Sequence, residues 1–116
     1  MDLSATPPKP AAALAARARD LLGMWYALDL WPVAIVWRDG LEGPAGIAWL
    51  EERTIELDAH LLARHPRRID EVLAHELAHL VIHARIGPDA EQHGPEWRAL
   101  LEIAGVRATR FHAMDA

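Results

Sequence analysis

Three histidines, His75, His79 and His83, recur at four-residue intervals in the run HELAHLVIH. A helix rises about 1.5 Å per residue, so His75 and His79 stand roughly 6 Å apart on one face, within reach of a single ion. His75 and His83 stand about 12 Å apart, and an ion between them falls over the turn that His79 already occupies. Two of the three can bind one metal, and a third ligand has to come from elsewhere. His75-Glu76-Leu77-Ala78-His79 is also an HExxH pattern. Two imidazoles at i and i+4 grip zinc from one face, while the glutamate, about 100° round the helix, reaches water at the ion. Such water has a pKa near 7, so Glu76 can take its proton and pass it to the leaving amine. The chemistry is peptide hydrolysis without a covalent intermediate.

The third ligand is read at His93, fourteen residues after His79. Gly87 and Pro88 let the intervening loop fold back, Gly94 allows a close backbone approach, and Pro95 launches the next helix with His93 at its entrance. Three histidines plus water is the open arrangement of a catalytic zinc site. The expected set is therefore one Zn2+ on His75, His79 and His93, with Glu76 as general base. His83 is read as a neighbour that hydrogen-bonds near the site or faces solvent.

These residues need elements to hold them. Residues 1–10, rich in proline, read as a loose tail, and residues 11–116 as one domain. From Ala11 to about Leu28 the composition favours a helix, stopped by Pro32, with Leu14, Ala18, Leu21, Leu22 and Trp25 on one stripe. VAIVW (33–37), GIAWL (from Gly46) and TIEL (from Thr54) read as strands, with RDGLEGPA a turn and EER a tight reversal. Asp58 is placed to cap a short helical turn, AHLLARH, and Pro66 to open the long helix that Gly87 and Pro88 end. In that helix Ile69, Leu73, Leu77, Leu80 and Ala84 form the core stripe, and His75 and His79 project about 120° from its centre. A last helix runs from Pro95 to Gly105, with Trp97, Leu100, Leu101 and Ala104 on its apolar face. The class is α+β: an N-terminal helix, a small, mostly antiparallel sheet of about three strands, the HExxH helix and a C-terminal helix.

Composition narrows the chemistry. The 12 basic and 17 acidic residues give a net charge of −5, which does not favour a nucleic-acid partner. With no cysteine, disulfides, a thiol nucleophile and a cysteine zinc ribbon are excluded. The N-terminus lacks the apolar core of a signal peptide and no run approaches the ~20 apolar residues that span a bilayer, so a soluble, cytoplasmic protein is expected. His60 and His65 are read as surface residues and Arg64, Arg67 and Arg68 as a solvated basic face. The five tryptophans are read as core, with Trp97 wedged against the HExxH helix, and Tyr26 as a weak candidate for a transition-state donor.

HELAH followed by HGPEWRALLEIAGV resembles the SprT-like zinc metallopeptidases, and the ending RATRFH resembles that family's tail. The likeness covers about residues 33–112 and is most specific at His93-Gly94-Pro95-Glu96-Trp97. It implies a zincin-like fold in which a small sheet lies over the active-site helix, the ligands His75, His79 and His93, and Glu76 as base. An extended or unfolded polypeptide is the implied substrate, held by strand addition to a sheet edge for which GIAWL is the candidate. His112 stands where members tend to carry a histidine and is a candidate for holding the oxyanion. Spartan-type members reach DNA–protein crosslinks with a zinc ribbon or basic segments that this sequence does not contain. HELAHLVIH also resembles the motif of repressor-cleaving metallopeptidases, whose third ligand is a carboxylate, a part open here to Glu91, Glu96 or Glu102. Two rival readings stay open: a zinc-stabilised protein-binding module closed by His112 or His83, and a DNA-associated protease.

Overall fold

The first helix shows how local sequence sets its own boundary. In the computed structural model, which describes residues 7–108, α1 spans Ala11–Met24 and buries Leu14, Ala18, Leu21 and Leu22. It ends four residues before Leu28, and Pro32 plays no part. Tyr26 adopts a left-handed backbone (φ 54°), its N–H donates to Gly23 O, and the Ala27 N–H donates to Leu22 O. That pair of bonds is a Schellman closure with tyrosine where glycine is usual, and the side chain stands in solvent. A 3-10 turn at Leu28–Leu30 then leads to the sheet.

The three strands are β1 (Ala34–Arg38), β2 (Gly46–Trp49) and β3 (Thr54–Asp58), in the order β1-β3-β2. β3 pairs parallel with β1 and antiparallel with β2, so the sheet is mixed rather than mostly antiparallel. Residues 39–45 therefore carry the chain past β3 to the far edge instead of turning a hairpin, and one side chain anchors that crossing. Asp58, 6% exposed, accepts the Leu41 N–H on Oδ2 (2.8 Å) and, on Oδ1, the Leu61 N–H of α2, Ala59–Arg64 (2.9 Å).

Register places Ile35, Ile55 and Ala48 in one cross-strand row and Trp37, Leu57 and Gly46 in the next. Ile55 and Leu57 are fully buried from this face. Against it lies α3 (Ile69–Ile86), entered through a 3-10 turn at Pro66–Arg68 and closed at Gly87, whose φ of 120° suits glycine. The stripe Ile69, Leu73, Leu77 and Leu80 is buried as expected, but Ala84 is exposed, and Val72, Ala74, His75, Ala78, Val81 and Ile82 are buried too. The HExxH helix is thus central rather than two-faced.

The other helices close around it. Arg17 of α1 holds Asp70 of α3 through two hydrogen bonds, at 2.7 and 3.2 Å. The Trp25 indole N–H donates to Leu100 O (2.7 Å), joining the end of α1 to α4, Pro95–Ile103. Near the N-terminus the Trp37 indole N–H donates to Lys9 O (2.9 Å). No described helix is long and apolar enough to cross a membrane.

Because the two Asp58 oxygens hold half-buried N–H groups of the 39–45 crossing and of α2, Asp58→Ala is expected to cost about 2–3 kcal/mol in urea unfolding, with Asp58→Asn costing less. Equal stability of the alanine variant would show that water replaces both bonds.

Candidate metal centre and active site

Trp97 organises the site. Its indole is 1% exposed and meets three imidazoles: His79 stacked at 5.4 Å between ring centroids, His75 edge-on at 5.0 Å and His93 edge-on at 4.7 Å. His79 and His93 lie 4.7 Å apart, edge to face. The indole N–H also donates to His75 O (3.2 Å), tying α4 to the backbone of the HExxH turn. The fold therefore gathers the three histidines expected as ligands. His83 is one turn further along α3 and lines a different cavity of about 460 Å³ with Asp29, Glu51, Arg53, Leu77 and Leu80; His75, Glu76, His79 and His93 do not line it. His60 is exposed and His65 half-buried, both on or beside α2. Glu91, Glu96 and Glu102 are exposed, and His112 lies outside the described residues. Tyr26 is 91% exposed on the closure of α1. Of the basic cluster, Arg64 and Arg67 are exposed, while Arg68 pairs with Glu71 (3.0 Å).

His93 reaches the cluster through a strained turn. Its φ is 62°, a left-handed conformation that histidine tolerates better than most side chains. Gly94 is required by close approach: a Cβ there would lie 3.0 Å from Glu91 Cδ and 3.1 Å from Glu91 O. The same turn contributes Gln92, whose Oε1 accepts the His79 Nδ1–H at 2.5 Å. Nothing in the sequence marks Gln92, since one amide in the polar stretch PDAEQ carries no periodic or motif signal.

The gathered donors suit a metal ion: three imidazoles, that of His79 with Nδ1 engaged by an amide oxygen and Nε2 left for an ion. Burial pushes His79 down to about 4, against the opposing hydrogen bond to Gln92, and lowers His75 in the same sense. Both rings are therefore neutral near pH 7 and offer lone pairs. Among the described residues, no group of three or more His, Asp or Glu side chains is placed to hold a metal ion as it stands. His75 Nε2–H donates to Arg107 O (2.5 Å), from the segment after α4, so use of that nitrogen as a ligand requires exchange of this bond.

Glu76 lies beneath β2. A Cβ on Gly46 would come within 3.0 Å of Glu76 Cγ and of Val72 Cγ1, so the strand can lie this close only because position 46 has no side chain. Burial there pushes the Glu76 carboxyl up to about 8. β2, which carries GIAW of the GIAWL run, is an edge strand of the sheet among the described residues. The Asp58 N–H donates to Ala45 O (3.0 Å), and antiparallel ladders bond alternate pairs. By that alternation Gly46 and Ala48 turn their N–H and C=O groups away from β3, to the outer edge of the sheet.

A profile of the SprT-like family matches residues 25–115. The chain belongs to the SprT-like family. It is 45% identical over 73 residues to Protein SprT of Klebsiella pneumoniae subsp. pneumoniae, covering 61% of this chain and 43% of that one. Against Protein SprT of Pectobacterium carotovorum subsp. carotovorum it is 47% identical over 70 residues, 59% of this chain and 41% of the relative. The matched segment of this SprT-like chain thus spans less than half of these relatives. Among solved structures, the metallopeptidase zymogen of Pyrococcus abyssi abylysin shares the fold, with a TM-score of 0.60 at 24% identity over 81% of this chain and 78% of that one. A zincin-like α+β fold is the common ground.

The buried acids and bases set opposite pH limits on the protein freed of metal by a chelator. Glu76 rises from 4.5 to about 8 on folding, so its contribution is complete below pH 4.5 and is lost as pH rises towards 8. His79 falls from 6.5 to about 4, so its contribution is complete above pH 6.5 and is lost as pH falls towards 4. Between these limits the two slopes oppose each other. Thermal midpoints of the chelated protein should therefore fall from pH 6.5 to 8, and Glu76→Gln should flatten that fall. A parent profile already flat over this interval would contradict the burial argument.

Proposed function

We propose that this SprT-like chain is a zinc-dependent metallopeptidase that hydrolyses peptide bonds of extended or unfolded polypeptides. The observation that carries the reading is the arrangement on one turn of α3. Two neutral imidazoles and a half-buried carboxyl share this turn, the carboxyl lying against edge strand β2. The family and the metallopeptidase neighbour of like fold support it.

His75, His79 and His93 would hold the ion. Bound zinc would supply Lewis acidity and bring water within reach of ionisation near neutral pH. Glu76 supplies the proton traffic. In its dry setting the carboxyl keeps its proton up to about pH 8, and a neighbouring cation favours the carboxylate that a general base must be. That carboxylate accepts a proton from the attacking water and returns it to the leaving amine, which closes the proton balance of hydrolysis. A binding module has no use for such a base, and this favours the enzyme over the rival reading.

Gly46 and Ala48 provide the substrate grip. A strand added at this edge hydrogen-bonds through its main chain, which suits an extended polypeptide of varied sequence rather than a folded surface. Exposed Trp49 continues the same strand with an apolar platform, 46% accessible.

Glu76→Gln is expected to keep zinc at one per chain and to lose about 10²–10⁴-fold in cleavage of an unfolded protein substrate. Unaltered proteolysis would remove Glu76 from its role. Ala48→Pro, which deletes an outward N–H where an edge strand tolerates proline, is expected to lower kcat/KM about three- to tenfold with zinc binding unchanged. Undiminished kcat/KM would argue against strand addition at this edge.

A further inference from the structure

We propose that Gln92 is a positioning residue for His79, fixing the imidazole tautomer that presents Nε2 to the ion. The inference rests on the metallopeptidase reading and adds a residue to its machinery. Gln92 is half-buried, and its Oε1 meets His79 Nδ1 at 2.5 Å. An amide oxygen can only accept, so the ring proton sits on Nδ1 and the Nε2 lone pair is left for coordination. The reversed amide would present NH2 to Nδ1, move the ring proton to Nε2 and take His79 out of the ligand set. The orientation of one side-chain amide thus decides whether the second histidine of HExxH can bind.

The turn is built to hold that amide in place. Gln92 precedes His93, whose left-handed backbone is followed by Gly94 packed on Glu91 and by Pro95 at the first turn of α4. One short segment therefore reaches α3 twice, at the His93 ring beside His79 and at the Gln92 amide on its far nitrogen. A ring held from both sides loses less freedom when it coordinates, and partners of this kind are typically worth 10–100-fold in metal affinity.

The test compares Gln92→Ala with Gln92→Glu, whose carboxylate also accepts from Nδ1–H, in the full chain. Zinc affinity is measured by chelator competition, and the His79 tautomer by imidazole ¹⁵N shifts of the metal-free protein, with thermal melts to verify folding. Expected is a 10–100-fold loss of zinc affinity for Gln92→Ala with loss of the fixed Nδ1–H tautomer, while Gln92→Glu keeps the tautomer and binds zinc at least as well as the parent to within about threefold. Parental affinity in Gln92→Ala, or equal weakening in both variants, would overturn the role. If Gln92→Ala does not fold, an Nε2–H tautomer in the parent or in Gln92→Glu overturns it, and Nδ1–H in both supports it. A parent that takes up no zinc brings down the metallopeptidase reading itself, whereas a parent that binds zinc beside an unaffected Gln92→Ala removes only Gln92.

Discussion

The packing of one indole under three imidazoles is the constraint on which the site depends. Trp97 meets His75, His79 and His93 and hydrogen-bonds the His75 carbonyl, so the position of α4 relative to α3 is set by the ring that lines the histidine cluster. A buried aromatic contributes mainly through its large apolar area. Its placement here makes the same burial that stabilises the fold also exclude water behind the candidate ligands. α4 starts at Pro95, directly after His93-Gly94, so seating Trp97 also delivers His93.

The cover that α4 and β2 place over the HExxH turn of α3 explains the electrostatics. A two-faced helix would leave His75 and His79 wet and near their ordinary pKa; covered by α4, they are held neutral, the form that binds a metal. The same covering, applied by β2, holds the Glu76 proton. A cation at the site would reverse that preference, so ligand readiness and base readiness are opposite responses to one dry environment. The structure keeps polar side chains at its centre by giving them partners: Gln92 for His79, Arg107 O for His75 and two N–H groups for Asp58.

Much of this was legible in the sequence because it rests on period and punctuation. The alternation from i to i+4 in HELAH, the prolines at 66 and 95 and the glycines at 87 and 105 locate α3 and α4, and Asp58 is readable as a cap. What escaped depends on tertiary context. The end of α1 was misplaced because Tyr26 takes the left-handed position that normally advertises itself as glycine. The sheet order was hidden because strand runs reveal residues that can pair but not which strand inserts between two others. Ala84 was assigned to the core by phase alone, although α3 outruns its covering layers there. Gln92 and Arg107 leave no trace in the sequence because a hydrogen bond from a loop to a histidine ring nitrogen follows no spacing rule.

Gly46 joins the two halves of the proposed site, and its role follows from what it lacks. In an edge strand glycine weakens pairing and packs nothing, so local propensity argues against it at this position. Its cross-strand neighbour is Leu57, and a Cβ would crowd Leu57, Val72 and Glu76 at once. Any larger residue would lift β2 from α3 or push the Glu76 side chain aside. The missing side chain lets a main chain with outward N–H and C=O groups pack on the Glu76 side chain at its Cγ. The proposed substrate edge and the proposed base therefore meet at one contact, and it is glycine that permits it.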